Sequence, residues 1–169
     1  MIQPQLDFLQ TINKKIYRDP ETLVPVLDEL RQKGSTIVFG NGCFELLHVG
    51  HVRYLFAARA LGDALIVGVN TDESVKAIKP DRQPVNTDAE RFEIIAALEA
   101  VDFVVPLGGQ TPIELLELLK PDIHTKGTDY AVEDLPETSV VRAYGGRVEI
   151  VGDPKDHSVT DMLREMKDR

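Results

Sequence analysis

A doubly wound, mostly parallel α/β sheet of about five strands, covered by helices on both faces, is the fold class the sequence predicts. Three observations predict it. Short apolar runs rich in β-branched residues recur along the chain, helix-period segments separate them, and glycine- or proline-bearing turns mark the junctions. With 169 residues, 43 % of them hydrophobic, the chain can bury the core of one domain and is too apolar for disorder.

Residues 1–35 read as an N-terminal helical segment, with Leu23, Val26, Leu27 and Leu30 on one face and Gly34 as its stop. Pro25 lies inside that pattern, so the helix either starts late or kinks there. Residues 36–169 read as the main domain. Thr36–Phe39 is a strand ending in the tight turn Gly40-Asn41-Gly42, and the next helix presents Val52, Leu55, Phe56 and Ala60 as its apolar stripe before closing at Gly62. Ala64–Asn70 is apolar throughout, as a parallel strand covered on both faces requires. Thr87 and Glu90 form a capping box opening a helix over 88–99, followed by a strand over 102–105. Thr111-Pro112-Ile113-Glu114 reads as a second capping box, with its helix running to Lys120-Pro121. A strand over 123–126, a short helix over 137–144, a strand over 147–151 and a last helix from Ser158 complete the alternation. The arrangement is Rossmann-like. Its ligands belong outside the carboxyl ends of the strands, where strand order reverses.

Nineteen Lys and Arg stand against twenty-eight Asp and Glu, a net charge of −9 that repels polyanions and argues against a protein whose main task is gripping nucleic acid or an anionic membrane. One cysteine, Cys43, makes no internal disulfide, and the first residues carry neither a basic segment nor an apolar stretch of signal length. No apolar run reaches membrane-spanning length, so a cytoplasmic address is expected.

The turn after the first strand reads Gly40-Asn41-Gly42-Cys43-Phe44-Glu45-Leu46-Leu47-His48-Val49-Gly50-His51. A dinucleotide fingerprint from Gly40 fails because Glu45 occupies its last glycine position, and the chain has no Gly-Lys-Ser/Thr for a P-loop. What remains is His-x-Gly-His at the mouth of a helix. His48 and His51 can face one point, the helix N-terminus supplies unpaired N–H groups and positive potential there, and Gly50 lets an anion come close. That combination suits a triphosphate. Zinc is a rival, since Cys43, His48 and His51 are three plausible ligands, but no fourth is evident. Cys43 as a nucleophile is weaker, being set among apolar neighbours.

The segment Asn41–His51 resembles the signature of the cytidylyltransferase-like nucleotidyltransferase superfamily, and most closely the adenylyltransferase domain of the ADP-heptose synthase family, also found as stand-alone D-glycero-D-manno-heptose 1-phosphate adenylyltransferases. Further similarity lies in Gly68–Asp72, Pro84-Val85-Asn86, Arg91, Ala97–Asp102, Lys126-Gly127 with Asp129-Tyr130, Gly145-Gly146 and Ser158-Val159-Thr160, spanning about 37–165.

The resemblance implies attack of a sugar 1-phosphate on the α-phosphorus of ATP, with Mg²⁺ carried by the nucleotide and pyrophosphate leaving. It implies His48, His51 and Lys79 as the catalytic groups. It implies Gly40, Asn41, Gly42, Cys43, Phe44, Gly50, His51, Lys126, Gly127, Asp129, Ser158 and Thr160 at the nucleotide, and Glu45, Asn70, Asp72, Lys79, Arg82 and Arg91 at the sugar phosphate. It also implies a homodimer working with a separate sugar kinase, and no metal held by the protein itself.

Five positions depart from the family pattern: Glu45 for the usual Asp, Gln83 for Arg, Pro80 for Gly, Gly40 for Thr and Val159 for Thr. Arg82 is the neighbouring replacement for the charge lost at Gln83. The sister reading is a cytidylyltransferase acting on a small phosphorylated alcohol such as glycerol 3-phosphate. A reading of another class is a nucleotide- or metal-binding module without turnover. With the site residues placed as the motif and the resemblance imply, His48, His51, Lys79, Arg82, Arg91 and Lys126 are expected to make a small positive pocket inside an acidic exterior.

Overall fold

The computed structural model describes residues 9–80 and 84–153. Five parallel strands, β1 (Ile37–Gly42), β2 (Ala64–Asn70), β3 (Phe103–Leu107), β4 (Ile123–Lys126) and β5 (Arg147–Ile150), pair in the order β3-β2-β1-β4-β5. The chain winds outward from β1 to β3, then crosses back to place β4 on the other side of β1. Strand order therefore reverses between β1 and β4, and a crevice opens at their carboxyl ends.

Side-chain alternation sorts the core onto two faces of this sheet. Val38, Leu65, Val67, Val69 and Val104 face α3 (Val49–Arg59) and α5 (Asp88–Ala96), where they meet Leu55, Ala58, Phe92 and Ile95. Ile37, Phe39, Ile66 and Val105 face the opposite layer, packing on α2 (Val24–Gln32), α6 (Ile113–Leu119) and α7 (Glu137–Ala143) through Leu27, Leu116, Leu119 and Val141. Burying each Leu or Ile of these layers stabilises the fold by about 1.5–3 kcal/mol before entropy is counted.

Several elements differ from the sequence expectation for identifiable reasons. β1 runs through Gly40-Asn41-Gly42 because Asn41 and Gly42 pair with Gly68 and Val69, so the turn begins only at Cys43. The helix α4 (Asp72–Ile78) was not expected, although Thr71 caps it by accepting from the Ser74 N–H. On α3 the buried positions are Leu55 and Ala58, while Phe56 is 47 % exposed. α6 starts at Ile113 with Pro112 as its N-cap and no side-chain cap, so Thr111 does not form the expected box. The Thr87–Glu90 box does form: Glu90 accepts from the Thr87 N–H at 2.8 Å, and this bond lowers the Glu90 carboxyl pKa.

The N-terminal segment is not helical throughout. Residues 9–13 are the described part of a helix, α1, after which Ile16 bridges to Val104, with Tyr17 N–H donating to the Val104 carbonyl at 2.8 Å. This covers the edge of β3 with one further bridge. A 3₁₀ turn over Pro20–Leu23 then leads into α2, whose first turn holds Pro25, so the helix starts late and is not kinked there. Leu23 and Leu27 are fully buried against Ile37 and Phe39, tying this segment to the same core. The final helix expected from Ser158 lies outside the described residues.

Candidate active site

A cleft of about 800 Å³ lies over the carboxyl ends of β1, β2, β4 and β5, where the topology puts it. Its floor is the chain leaving β1. Phe44 adopts φ 48°, unusual for a residue with a side chain, and is kept there because its ring is buried in the core and meets His51 edge-on at 5.2 Å between centroids. Gly42 leaves room for that ring, since a Cβ would stand 3.1 Å from it.

His48 caps α3, and His51 sits one turn inside it. Their rings stack at 3.8 Å between centroids and 25° between planes. His51 Nδ1 accepts from the His48 backbone N–H at 3.4 Å, which leaves the Nε2 position of the neutral ring as its donor. Burial first, then the neighbouring His48, pushes His51 down to about 4, so the ligand-free site holds it neutral at physiological pH. A polyanion beside it would favour the imidazolium, against that bias.

Lys79 and Glu45 flank the β2 side. The Glu45 carboxylate is 2 % exposed, with Oε2 2.8 Å from Lys79 Nζ, and Asn86 Nδ2 donates to the Glu45 carbonyl at 3.3 Å. Asn70 lies deeper, accepting from the Cys43 thiol at 3.7 Å and donating to Ser74 Oγ at 2.9 Å. On the β4 side stand Lys126, Gly127, Asp129 and Tyr130, and across the mouth Arg53 pairs with Asp153 at 2.6 Å.

The structure brings Asn41, Gly42, Cys43, Phe44, Glu45, His48, Gly50, His51, Asn70, Lys79, Lys126, Gly127 and Asp129 to the cleft wall. Three expected residues are not on it. Arg91 is fully buried, and its guanidinium is spent on Asp72 Oδ1 at 2.8 Å, the Cys43 carbonyl at 2.6 Å and the Asn86 carbonyl at 3.2 Å. It clamps the turn after β1, the start of α4 and the loop before α5 together beneath the cleft. Asp72 is the anionic partner of that clamp. Gly40 is buried below the floor, where a Cβ would stand 2.7 Å from the Tyr54 hydroxyl; that hydroxyl donates to the Thr125 carbonyl at 2.9 Å, and burial pushes its pKa up to about 12. Arg82, Ser158 and Thr160, with the departures at Gln83 and Val159, lie outside the described residues.

The expected positive pocket is also corrected. Among the described residues the wall carries Arg53, Lys79 and Lys126 against Glu45, Asp129 and Asp153, because the cations are held in place by carboxylates. Nor do Cys43, His48 and His51 gather as metal ligands: no cluster of three or more His, Cys, Asp or Glu suited to a metal occurs among the described residues. Sequence reasoning missed Arg53, Tyr54, Gln110, Thr111, Thr128 and the end of β5. Arg53 and Tyr54 were legible as the positions one turn beyond Gly50 and His51, whereas Gln110 and Thr111 reach the wall only through the sheet order.

A reversal crevice floored by a glycine-rich turn, with two imidazoles at the mouth of the crossover helix, defines the class: a doubly wound α/β domain with its cleft at the first crossover. The chain belongs to the cytidylyltransferase-like family, whose model matches residues 39–167. It is 45 % identical over 149 residues to the bifunctional protein HldE of Syntrophotalea carbinolica, covering 88 % of this chain and 30 % of that protein. It is 44 % identical to HldE of Pseudomonas aeruginosa over 149 residues, 88 % of this chain and 32 % of the relative. The chain thus spans about a third or less of the length of these relatives. A crystal structure described as the lipopolysaccharide core biosynthesis protein from Thermoplasma volcanium superposes with a TM-score of 0.58 at 30 % identity, covering 70 % of this chain and 95 % of that one.

Proposed function

We propose that the protein transfers AMP from ATP to a sugar 1-phosphate, D-glycero-D-manno-heptose 1-phosphate in this reading, releasing pyrophosphate and forming an ADP-sugar for lipopolysaccharide or surface-glycan synthesis. The observation that carries it is the stacked His48–His51 pair at the mouth of α3, facing the switch-point cleft. A phosphate oxygen of the sugar phosphate attacks the α-phosphorus in line. The new P–O bond forms as the bond to the β-phosphate bridging oxygen breaks, and the electron pair leaves with pyrophosphate. No covalent intermediate on the protein is needed, so positioning and charge stabilisation supply the rate.

In this reading His48 and His51 stabilise the charge developing on the triphosphate, and Lys79 leaves Glu45 to meet the incoming phosphate. The Gly42–Phe44 floor, Gly50 and the Lys126–Tyr130 loop hold the nucleotide. Asn70 and Glu45 border the sugar phosphate. Mg²⁺ enters as part of the substrate, on the triphosphate. A wall balanced between cations and carboxylates suits a nucleotide already partly neutralised, and the buried Asn41 Oδ1, which has no hydrogen-bond donor among the described residues, is an oxygen that could face the ion or its water.

A homodimer, a cytoplasmic setting and a separate sugar kinase that supplies the substrate complete the proposal. No helix among the described residues is long and apolar enough to cross a membrane. Mass spectrometry of a reaction holding ATP, Mg²⁺ and heptose 1-phosphate tests the chemistry: the ADP-sugar is expected, and chelating the Mg²⁺ abolishes it. An ADP-sugar yield unaffected by chelation contradicts the Mg²⁺ assignment, and absence of product under all conditions contradicts the reaction.

A further inference from the structure

Behind the β4 wall lies a buried charge cluster of which the reaction as described uses only Lys126. The Glu137 side chain, at the start of α7, is 3 % exposed and faces two residues of β4: its Oε1 lies 2.8 Å from Lys126 Nζ and 3.3 Å from His124 Nε2. His124 is fully buried, and Lys126 is 12 % exposed on the cleft wall, with its ammonium 5.3 Å from the centre of the Tyr130 ring. Hydrogen bonds from His124 and Lys126 outweigh the burial of this carboxylate and hold it ionised, down at about 2. It is a fixed negative charge and not a proton carrier at working pH.

Such a cluster adds little to stability by itself. The desolvation of a buried pair cancels most of its attraction, and apolar replacements of similar volume usually serve the fold as well. Its effect on Lys126 is different. A free lysine loses the rotamer freedom of four torsions when it grips a ligand, whereas Lys126 has already lost it to Glu137. One of its three N–H donors goes to the carboxylate, and Lys126 stands on the cleft wall.

We propose that Glu137 is a positioning residue for the nucleotide half of the cleft: backed by His124, it holds the Lys126 ammonium ready for an anionic nucleotide, so that binding need not order the side chain. This rests on the nucleotide reading of the cleft and goes beyond it in assigning a role to a residue that touches no ligand.

The test compares ATP affinity by calorimetry, and ATP KM with kcat, in the wild type, Glu137→Gln, Lys126→Met and the double variant. Glu137→Gln keeps the shape and an acceptor but removes the fixed charge. It should weaken ATP binding and raise ATP KM about tenfold, with kcat and the KM of the sugar phosphate changed less than about twofold, as expected when pre-ordering alone is lost. The double variant should bind ATP no worse than Lys126→Met alone, since Glu137 acts through that lysine. Unchanged ATP affinity in Glu137→Gln, or full additivity in the double variant, overturns the proposal and leaves Glu137 a strut. Should the variants fail to fold, Lys126→Arg is read instead: it retains a charge that Glu137 can hold, should bind ATP within about threefold of wild type, and overturns the proposal if it binds like no lysine at all. A wild type that binds ATP as predicted but releases no pyrophosphate refutes the reaction and not the positioning role. A wild type that binds no nucleotide refutes both.

Discussion

His51 is the residue on which the proposed chemistry turns. Its neutral ring, held near 4 by burial and by His48, must gain or share a proton when a triphosphate arrives, so ATP binding near neutral pH should take up protons, measurable by calorimetry in buffers of different ionisation enthalpy. His51→Ala should lower kcat by about 100-fold or more, the scale for a removed charge-stabilising donor, with little change in melting temperature. The same shift has a stability consequence. Between the ordinary 6.5 and about 4 the unfolded chain binds the proton and the native one does not, so stability is full above about 6.5 and declines as pH falls through that window. His124, also lowered chiefly by burial, adds in the same direction. A pH series of denaturant midpoints should therefore flatten over that range in His51→Gln, and an unaltered slope contradicts the assignment. Arg91 carries the opposite lesson. Its charge suggests an anion site, but of the acceptors that bury it only Asn86 is near in sequence, while Cys43 after β1 and Asp72 at the start of α4 are brought in by the fold, and no local pattern announces them. Arg91→Met should destabilise the fold by about 3 kcal/mol or more in chemical denaturation, because Asp72 and two carbonyls lose their donor.

Among the elements, the strands were legible because a parallel sheet covered on both faces needs continuous apolar runs, and Ala64–Asn70 is one. The extension of β1 was not legible: Gly40-Asn41-Gly42 has turn composition, and only pairing with β2 makes it strand. α4 could have been found from Thr71 at its cap and Val75 with Ile78 one turn apart. Gly40 connects an element to the site. The Tyr54 hydroxyl from α3 occupies the space a side chain at 40 would need, and it is bonded to Thr125 of β4, so α3 is locked to β4 at the floor of the cleft. Gly40→Ala should cost about 1–3 kcal/mol by overpacking, and adding Tyr54→Phe should recover much of that loss in thermal melts. If the two substitutions simply add, the lock is not made by that contact.

For the whole molecule, the net charge of −9 argues against a nucleic-acid binder, yet it describes the exterior and not the cleft. There the His-x-Gly-His pair was readable because its chemistry is local, a helix mouth with two imidazoles. The pairing of Lys79 with Glu45 and of Lys126 with Glu137 was not, because each carboxylate is brought in by tertiary packing. What the sheet order and these pairs build together is a crevice with anchored cations beside a stacked imidazole pair, the setting the proposed nucleotidyl transfer calls for. The most direct measurement is pyrophosphate release across a panel of ATP and CTP against heptose 1-phosphate, glycerol 3-phosphate and ethanolamine phosphate, each with Mg²⁺. Release should be fastest with ATP and heptose 1-phosphate, negligible when either is omitted, and about 100-fold slower in His51→Ala. Equal or faster release with CTP and a phosphorylated alcohol, or no release with any pair, would contradict the account.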